Sequence, residues 1–521
     1  MSDDARWQPR LDQEARLRQL DAKLVAEPDG MEARVERAAL LAALDRPQDA
    51  KQAFLDVLAL DPTHAGALND FGALLTTMGF RAAARTVFTQ AVTHHPDNPK
   101  PQVNLANLLL RDGDLTLARR HYEGALRLDP DHPHAHQGLG TLFAELGDHE
   151  RADWHRSQGF RNQCVATLPY RGTKPPIPIL LFVSAAGGDI PTASFLDSRI
   201  YLTTAVVADF FDPAHDLPPH RLVFNAIGDA DLCHRPLEAA ALLISKTSAP
   251  VINRPSAVLA TGRLANSRRL AGLPGVVAPR IACLPRAVLA NADGPDPLAA
   301  QGWNFPLLLR TPGFHTGRNF VLVDKPSDLA AAATSLPGRD LYVIQYLDAR
   351  GSDGRARKYR VMLVDGQILP LHLAVSRHWK VHYFTADMAD HPQHRAEDAA
   401  FLDDMPAVLG HKAIAALERI RDVLDLDYGG IDFGLSPDGD VLLFEANATM
   451  VVNPPDADER WAYRSGAVNT ILDAVGAMIL GRARGPRPVD PIVAAQNSVH
   501  SRPRDWRPPP NPCSLVKAKQ S

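Results

Sequence analysis

Between residues 31 and 160 apolar positions recur at helical spacing, in blocks that repeat every 34 residues. Pro28, Pro62, Pro96 and Pro130 keep that interval, as do Ala50, Ala84, Ala118 and Ala152, and Gly79, Gly113 and Gly147. A helix–turn–helix unit of this length stacks on its neighbour to bury its apolar stripe. The small residues let paired helices approach, and proline ends the second helix. Past the Pro-rich segment "LPYRGTKPPIP" (168–178) the pattern changes. Short apolar runs at 179–183, 221–227 and 250–254 flank a helical stretch at 236–247, which predicts a parallel sheet. Three longer strand–loop–strand patterns follow: 305–323 around a glycine-containing loop, 341–374 ending in an Asp-Gly hairpin, and 429–450 around Pro-Asp-Gly.

The repeat resembles the tetratricopeptide family. In 65–98 the signature positions carry Leu68, Phe71, Gly72, Leu75, Ala84, Phe88 and Pro96. In the next unit they carry Leu105, Ala106, Leu109, Ala118, Tyr122, Ala125 and Pro130. The last unit decays, with Arg156 where Phe88 and Tyr122 stood and Gly159 further on, as expected at the end of an array. Asn69, Asn104 and Asn107 are candidates to line a concave groove, or are solvated helix positions. The resemblance implies a protein or peptide partner in that groove.

"GGIDFGLSPDGDVLLFEANATM" (429–450) carries the chemistry. Asp-Gly is the strongest short hairpin signal. A two-residue loop at Asp438–Gly439 sets Pro437 opposite Asp440 and Asp432 opposite Glu445. Side chains alternate along a strand, so Asp432, Glu445 and Asn447 share one face. Ile431, Phe433, Leu435, Leu442 and Phe444 then point into a core. Opposed like charges destabilise a sheet, so a positive species is expected between them. Hard oxygen donors suit Mg²⁺, which takes one or two carboxylates and leaves positions for phosphate and water. The plain alternative is two solvated acids on an exposed face.

From 177 to 482 the order of these elements resembles the ATP-grasp superfamily, in the branch of glutathione synthetase and the ribosomal-protein glutamate ligases. The resemblance implies ATP and Mg²⁺ as cofactors, with metal on Asp432, Glu445 and Asn447. It places Arg310, Arg263 and the loop of Gly313, His315 and Gly317 on the nucleotide phosphates. Gln345, Tyr346 and Leu347 would lie along the adenine edge, and Arg360 would act catalytically near the transferring phosphate. This chain departs from the family at Arg310 and Arg263, where Lys is usual. It also departs at Lys358, where Asp is common two residues before the Arg, and at "NATMVVNPP", which lacks Pro-Gly after the Asn. Arg310 has a plain alternative as a surface group paired with Asp324. His378 and His382 sit in a stretch expected to be strand, where their spacing makes no metal pair.

Together these imply an all-α tetratricopeptide solenoid followed by α/β and α+β ATP-grasp domains. The expected divisions are a helical lead-in (1–30), repeats (31–166), a linker (167–178), an α/β domain (179–285), the grasp domain (286–482) and a disordered Pro/Arg-rich tail (483–521). The chain has 521 residues, 45% of them apolar, and 56 Lys plus Arg against 60 Asp plus Glu. A net charge of −4 supplies no general attraction to nucleic acid or an acidic membrane. The start "MSDDARWQPR" lacks a secretory pattern, no run approaches a membrane span, and Cys164, Cys233, Cys283 and Cys513 form no CxxC. A cytoplasmic protein with free thiols is expected. The function implied is an ATP- and Mg²⁺-dependent ligase joining a small-molecule carboxylate to an amine through an acyl phosphate. The alternative is a non-catalytic repeat adaptor whose second half senses nucleotide or is structural.

Overall fold

The computed structural model describes residues 9–291, 298–313, 318–381, 386–456 and 458–485. His315, Gly317, His382, Cys513 and the tail beyond 485 lie outside the described residues. By contacts the chain forms two compact units, residues 1–179 with 196–214, and residues 180–195 with 215–521. Residues 196–214, which the sequence pattern assigns to the α/β part, therefore group with the repeats.

The first unit opens with α1 (Pro9–Ala26). The helices α2 (Met31–Ala43), α4 (Ala65–Thr77), α6 (Pro99–Arg111) and α8 (Pro133–Glu145) then begin 34 residues apart. Their partners α3 (Pro47–Leu60), α5 (Arg81–His94), α7 (Leu115–Leu128) and α9 (His149–Phe160) keep the same interval. Pro28, Pro62, Pro96 and Pro130 each fall two residues past a helix end. Gly79, Gly113 and Gly147 take φ of 82°, 82° and 75° at the turn within each pair, a conformation that favours glycine. Asp45 takes it at the equivalent place in the first unit (φ 62°).

The core of this unit is a continuous line of Phe54, Phe71, Phe88, Leu109, Tyr122 and Phe143. Gly72 faces the ring of Phe88, and Gly140 faces the stem of Arg156. The last unit thus keeps its buried position with an amphipathic side chain. Arg156 is 8% exposed and its Nη1 donates to Asp153 at 3.1 Å. The three asparagines bond locally: Asn104 donates to Asn69 (2.9 Å), and Asn107 accepts from the Tyr122 hydroxyl (2.6 Å). After α9, β1 (Val165–Thr167) pairs antiparallel with β3 (Tyr201–Val207).

In the second unit β2 (Ile177–Val183, within this unit from Leu180) lies beside β4 (Leu222–Asn225), and β4 pairs parallel with β5 (Val251–Ile252). Parallel pairing is present here, whereas β1 and β3 are antiparallel. The helices α10 (His234–Ile244), α11 (Pro255–Leu259) and α12 (Arg263–Leu270) intervene before β6 (Val276–Val277).

Two further sheets frame the site. The first is antiparallel, in the order β7 (Ile281–Pro285), β10 (Asp340–Gln345), β8 (Leu307–Arg310), β9 (Phe320–Val323), with α13 (Arg286–Leu289) and α14 (Leu329–Ser335) beside it. The second has the order β12 (Gln367–Ser376), β11 (Ala356–Val364), β13 (Tyr428–Leu435), β14 (Val441–Asn447), β6. It is antiparallel except where β14 meets β6. The helices α15 (Pro392–Asp403), α16 (Met405–Leu424) and α17 (Ser465–Arg484) complete the unit.

The two Asp-Gly turns differ. Asp365–Gly366 joins β11 to β12 with positive φ at both residues (47° and 79°), the two-residue hairpin form. At the second turn Ser436 N–H donates to Asp440 O and Gly439 N–H to Ser436 O, so the loop is the three residues 437–439. A bulge opposite the Asp432/Phe433 step then restores the register and pairs Asp432 with Glu445. The expected pairing is present, but the expected two-residue loop is not. Past β12, Arg377–Val381 is not strand, which corrects the expectation around His378. Among the described residues no helix is long and apolar enough to cross a membrane.

Substitution tests the repeat packing. A Cβ on Gly138 would sit 2.2 Å from Cζ of the buried Tyr122 ring. Gly138→Ala is expected to cost about 1–3 kcal/mol, read as a lower urea midpoint for loss of helical signal. Gly66→Ala, whose nearest neighbour would be 3.5 Å away, should leave that midpoint unchanged or raise it.

Candidate functional site

Strand alternation and cross-strand pairing build one row of side chains. On the second sheet His372 (β12) pairs with Arg360 (β11), Arg360 with Asp432 (β13), and Asp432 with Glu445 (β14). Directly opposed residues share a face, so base, cation, acid and acid run in line across four strands.

Each acid is paired with cationic side chains. Arg360 Nε and Nη2 bond the two oxygens of Asp432 at 2.5 and 2.7 Å, and Lys358 Nζ reaches Oδ2 at 3.0 Å. Arg263 Nη2 bonds Glu445 Oε1 at 2.7 Å. Lys358 and Arg360 reach the same acid because they are two apart on one strand. Asp432 is 3% exposed, which rules out a solvated acid. Burial works to raise its pKa, but Arg360 and Lys358 outweigh burial and hold it well below the usual carboxylate range. Asn447 donates to Glu445 Oε1 (3.0 Å), and its own oxygen accepts from Thr449 N and Oγ1 (3.0 and 2.9 Å).

Opposite this row, Arg310 ends β8. It is 9% exposed, so it is no surface partner of Asp324. Burial lowers its pKa to about 10, and Arg263 adds to the effect. Its guanidinium lies 5.5 Å from the centre of the Phe320 ring. Arg263 begins α12, and its backbone N–H donates to Asp231 (3.1 and 3.3 Å). Burial tends to lower the Arg263 pKa, but Glu445 and Asp231 hold it above its ordinary value.

These groups line a cavity of about 1010 Å³ between the two sheets. Arg263, Arg310, Arg360, Asp432, Glu445 and Asn447 all face it. So do Gln345, Tyr346 and Leu347, at and just past the end of β10. Gly313 (φ 78°) lines a smaller adjoining cavity with Arg263, Arg310 and Glu445. Phe444, expected in the core, lines the large cavity instead, because the bulge turns it from its alternating position. Lys358, His372, Lys380 and Arg464 also line it and were missed as site residues. Alternation from Arg360 points to Lys358. For His372 and Arg464 no local motif exists, and only pairing across the fold brings them in. Burial, then Arg360, lowers His372 well below the usual histidine pKa. Chemically, the cavity offers an apolar flank (Leu308, Phe320, Ile344, Leu443) and a floor where cations outnumber carboxylates, which suits a ligand with an aromatic part and an anionic part.

Residues 70–119 and 103–154 match the model of the tetratricopeptide repeat family. No curated protein matches this chain. Among solved structures, MamA is 19% identical, with a TM-score of 0.26 over 28% of this chain and 84% of that one. A MamA fragment from Desulfovibrio magneticus RS-1 is 27% identical, with a TM-score of 0.27 over 29% and 87% of the two chains. PilF of Pseudomonas aeruginosa is 23% identical, with a TM-score of 0.27 over 30% and 76%. The N-terminal region carries tetratricopeptide repeats, a protein-interaction architecture.

The ion cluster makes a stability prediction. Asp432→Asn leaves Lys358 and Arg360 without their shared counter-charge, at an expected cost of about 3–5 kcal/mol. Glu445→Gln should cost less, since that side chain is 26% exposed against 4% for Asp432. Urea unfolding of the two variants checks the order.

Proposed function

We propose that the sheet-bearing part is an ATP- and Mg²⁺-dependent ligase of the ATP-grasp kind, joining a carboxylate to an amine through an acyl phosphate. In this reading the repeats recruit a protein or peptide. The observation that carries it is the cavity floor, where Asp432 and Glu445 are opposed on paired strands and surrounded by Arg263, Lys358 and Arg360, with Arg310 at the end of a facing strand.

The donor set fits a hard cation bound together with a polyphosphate. Among the described residues no three His, Cys, Asp or Glu converge into a cage, and Mg²⁺ ordinarily takes one or two carboxylates with phosphate and water. The acids are now satisfied by the cations a phosphate would attract. Arg263 and Arg360 would hold phosphate oxygens, and Asp432, Glu445 and Asn447 would hold the metal. Bound there, the metal supplies charge neutralisation for phosphoryl transfer. Arg310 and Arg360 would hold the transferring phosphoryl oxygens, and Arg can take the place of Lys because its fork binds phosphate bidentately. The apolar flank would hold the base beside Gln345, Tyr346 and Leu347 and exclude water. No protein nucleophile is required.

Amine- and carboxylate-dependent ADP release by the purified chain tests this reading. Glu445→Gln should keep the fold and lose most Mg²⁺-dependent turnover. Full turnover by that variant, or no ADP release by the parent with any acid–amine pair, would leave the adaptor reading.

Arg310 gives a binding test. Removing a charge-assisted hydrogen bond of roughly 1.5–3 kcal/mol weakens a dissociation constant about ten- to a hundredfold. Arg310→Ala should lose that much affinity for a non-hydrolysable ATP analogue by titration calorimetry, and Arg310→Lys should recover much of it.

A further inference from the structure

The row from Glu445 to His372 spans three strand spacings, roughly 14 Å at the usual separation. Arg263 bonds Glu445 at one end. The β12 end has its own cation. Arg464 closes the 3₁₀ turn Glu459–Arg464 ahead of α17, which packs on β11 and β12. It is 2% exposed yet faces the cavity.

Its position is set by a buried network. Asp398 on α15 accepts from Leu373 N at 2.6 Å, next to His372 on β12. The other oxygen of Asp398 accepts from Tyr463 Oη at 2.5 Å and from Arg464 Nε at 2.7 Å, with Arg464 Nη2 on the same atom. Trp461 packs against the guanidinium, 4.8 Å from its ring centre, and also lines the cavity. Burial raises Asp398 and lowers Arg464, so desolvation works against the charge of each partner. A pre-oriented guanidinium in a desolvated wall is a strong anion site.

We propose that Arg464, backed by Asp398 and walled by Trp461, is a second anion subsite that fixes a carboxylate group of the co-substrate at the β12 end of the row. This rests on the ligase reading for what occupies the other end. A nucleotide's phosphates would take Arg263, Arg310 and Arg360. Arg464, at the other end of the row, selects a co-substrate bearing a carboxylate.

The test uses the full chain with a non-hydrolysable ATP analogue present, titrated with acetate, succinate and L-glutamate. At least one should bind. Arg464→Lys, which loses the planar fork, should weaken that binding at least about tenfold and leave analogue affinity unchanged. Should Arg464→Lys fail to fold, the parent protein labelled with fluorotryptophan gives the answer, its Trp461 resonance identified with Trp461→Phe. Carboxylate addition should shift that resonance. Equal carboxylate affinity in Arg464→Lys, a shift confined to other tryptophans, or binding by none of the three acids overturns the subsite. If the analogue fails to bind but an Arg464-dependent carboxylate still does, the ligase reading falls and the anion subsite stands.

Discussion

Asp432 is almost fully buried in the middle of a five-stranded sheet, and it is charged only because Arg360 and Lys358 hold it so. Much of the second unit depends on that cluster. A lone carboxylate in this position would shift its pKa and neutralise. With two cations from the neighbouring strand it instead joins β11 to β13 through side chains as well as backbone, and the charge extends along the row to Glu445 and Arg263. Such clusters cost desolvation and are a weak route to stability. In the proposed ligase, such a cluster in a cavity wall would be able to re-pair with a charged ligand.

The repeat was legible because its period is written in single residues. Proline, alanine and glycine each recur at 34, and each has one physical job per unit: ending a helix, admitting a neighbouring helix, or taking a left-handed turn. The end of the array was less clear. Arg156 looked like decay, yet its stem fills the aromatic position because a long side chain can bury carbon and leave charge at the edge. Residues 196–214 could not be placed with the repeats by pattern alone, since the pairing of β3 with β1 is non-local.

At the site, the residues carried by strand spacing were readable and those carried by tertiary packing were not. Arg310, Arg360, Asp432, Glu445 and Asn447 lie on strands whose alternation fixes their face. Pro437 was the overlooked cue in the hairpin: proline suits the second position of a type I turn, and a type I turn followed by a left-handed glycine makes a three-residue loop. His372 sits opposite Arg360 through a strand pair that itself contains a register shift. Arg464 reaches the cavity because the turn Glu459–Arg464 is held by α15 and α17, which both pack on β12.

The bulge beside Phe444 has a consequence for parity. Asp432 and Glu445 are thirteen positions apart, an odd separation that a plain two-residue loop would satisfy. The three-residue loop alone would make the separations even and set Glu445 one place out of register, on the wrong face. One unpaired residue in β14 cancels the surplus residue in the turn. The base of the hairpin is thereby tied to its tip. A turn that keeps three residues between Ser436 and Asp440 leaves the opposed acids where they are, while a single residue gained or lost in the turn or between Asp440 and Glu445, without loss or gain of the bulge, would turn one of them out of the cavity.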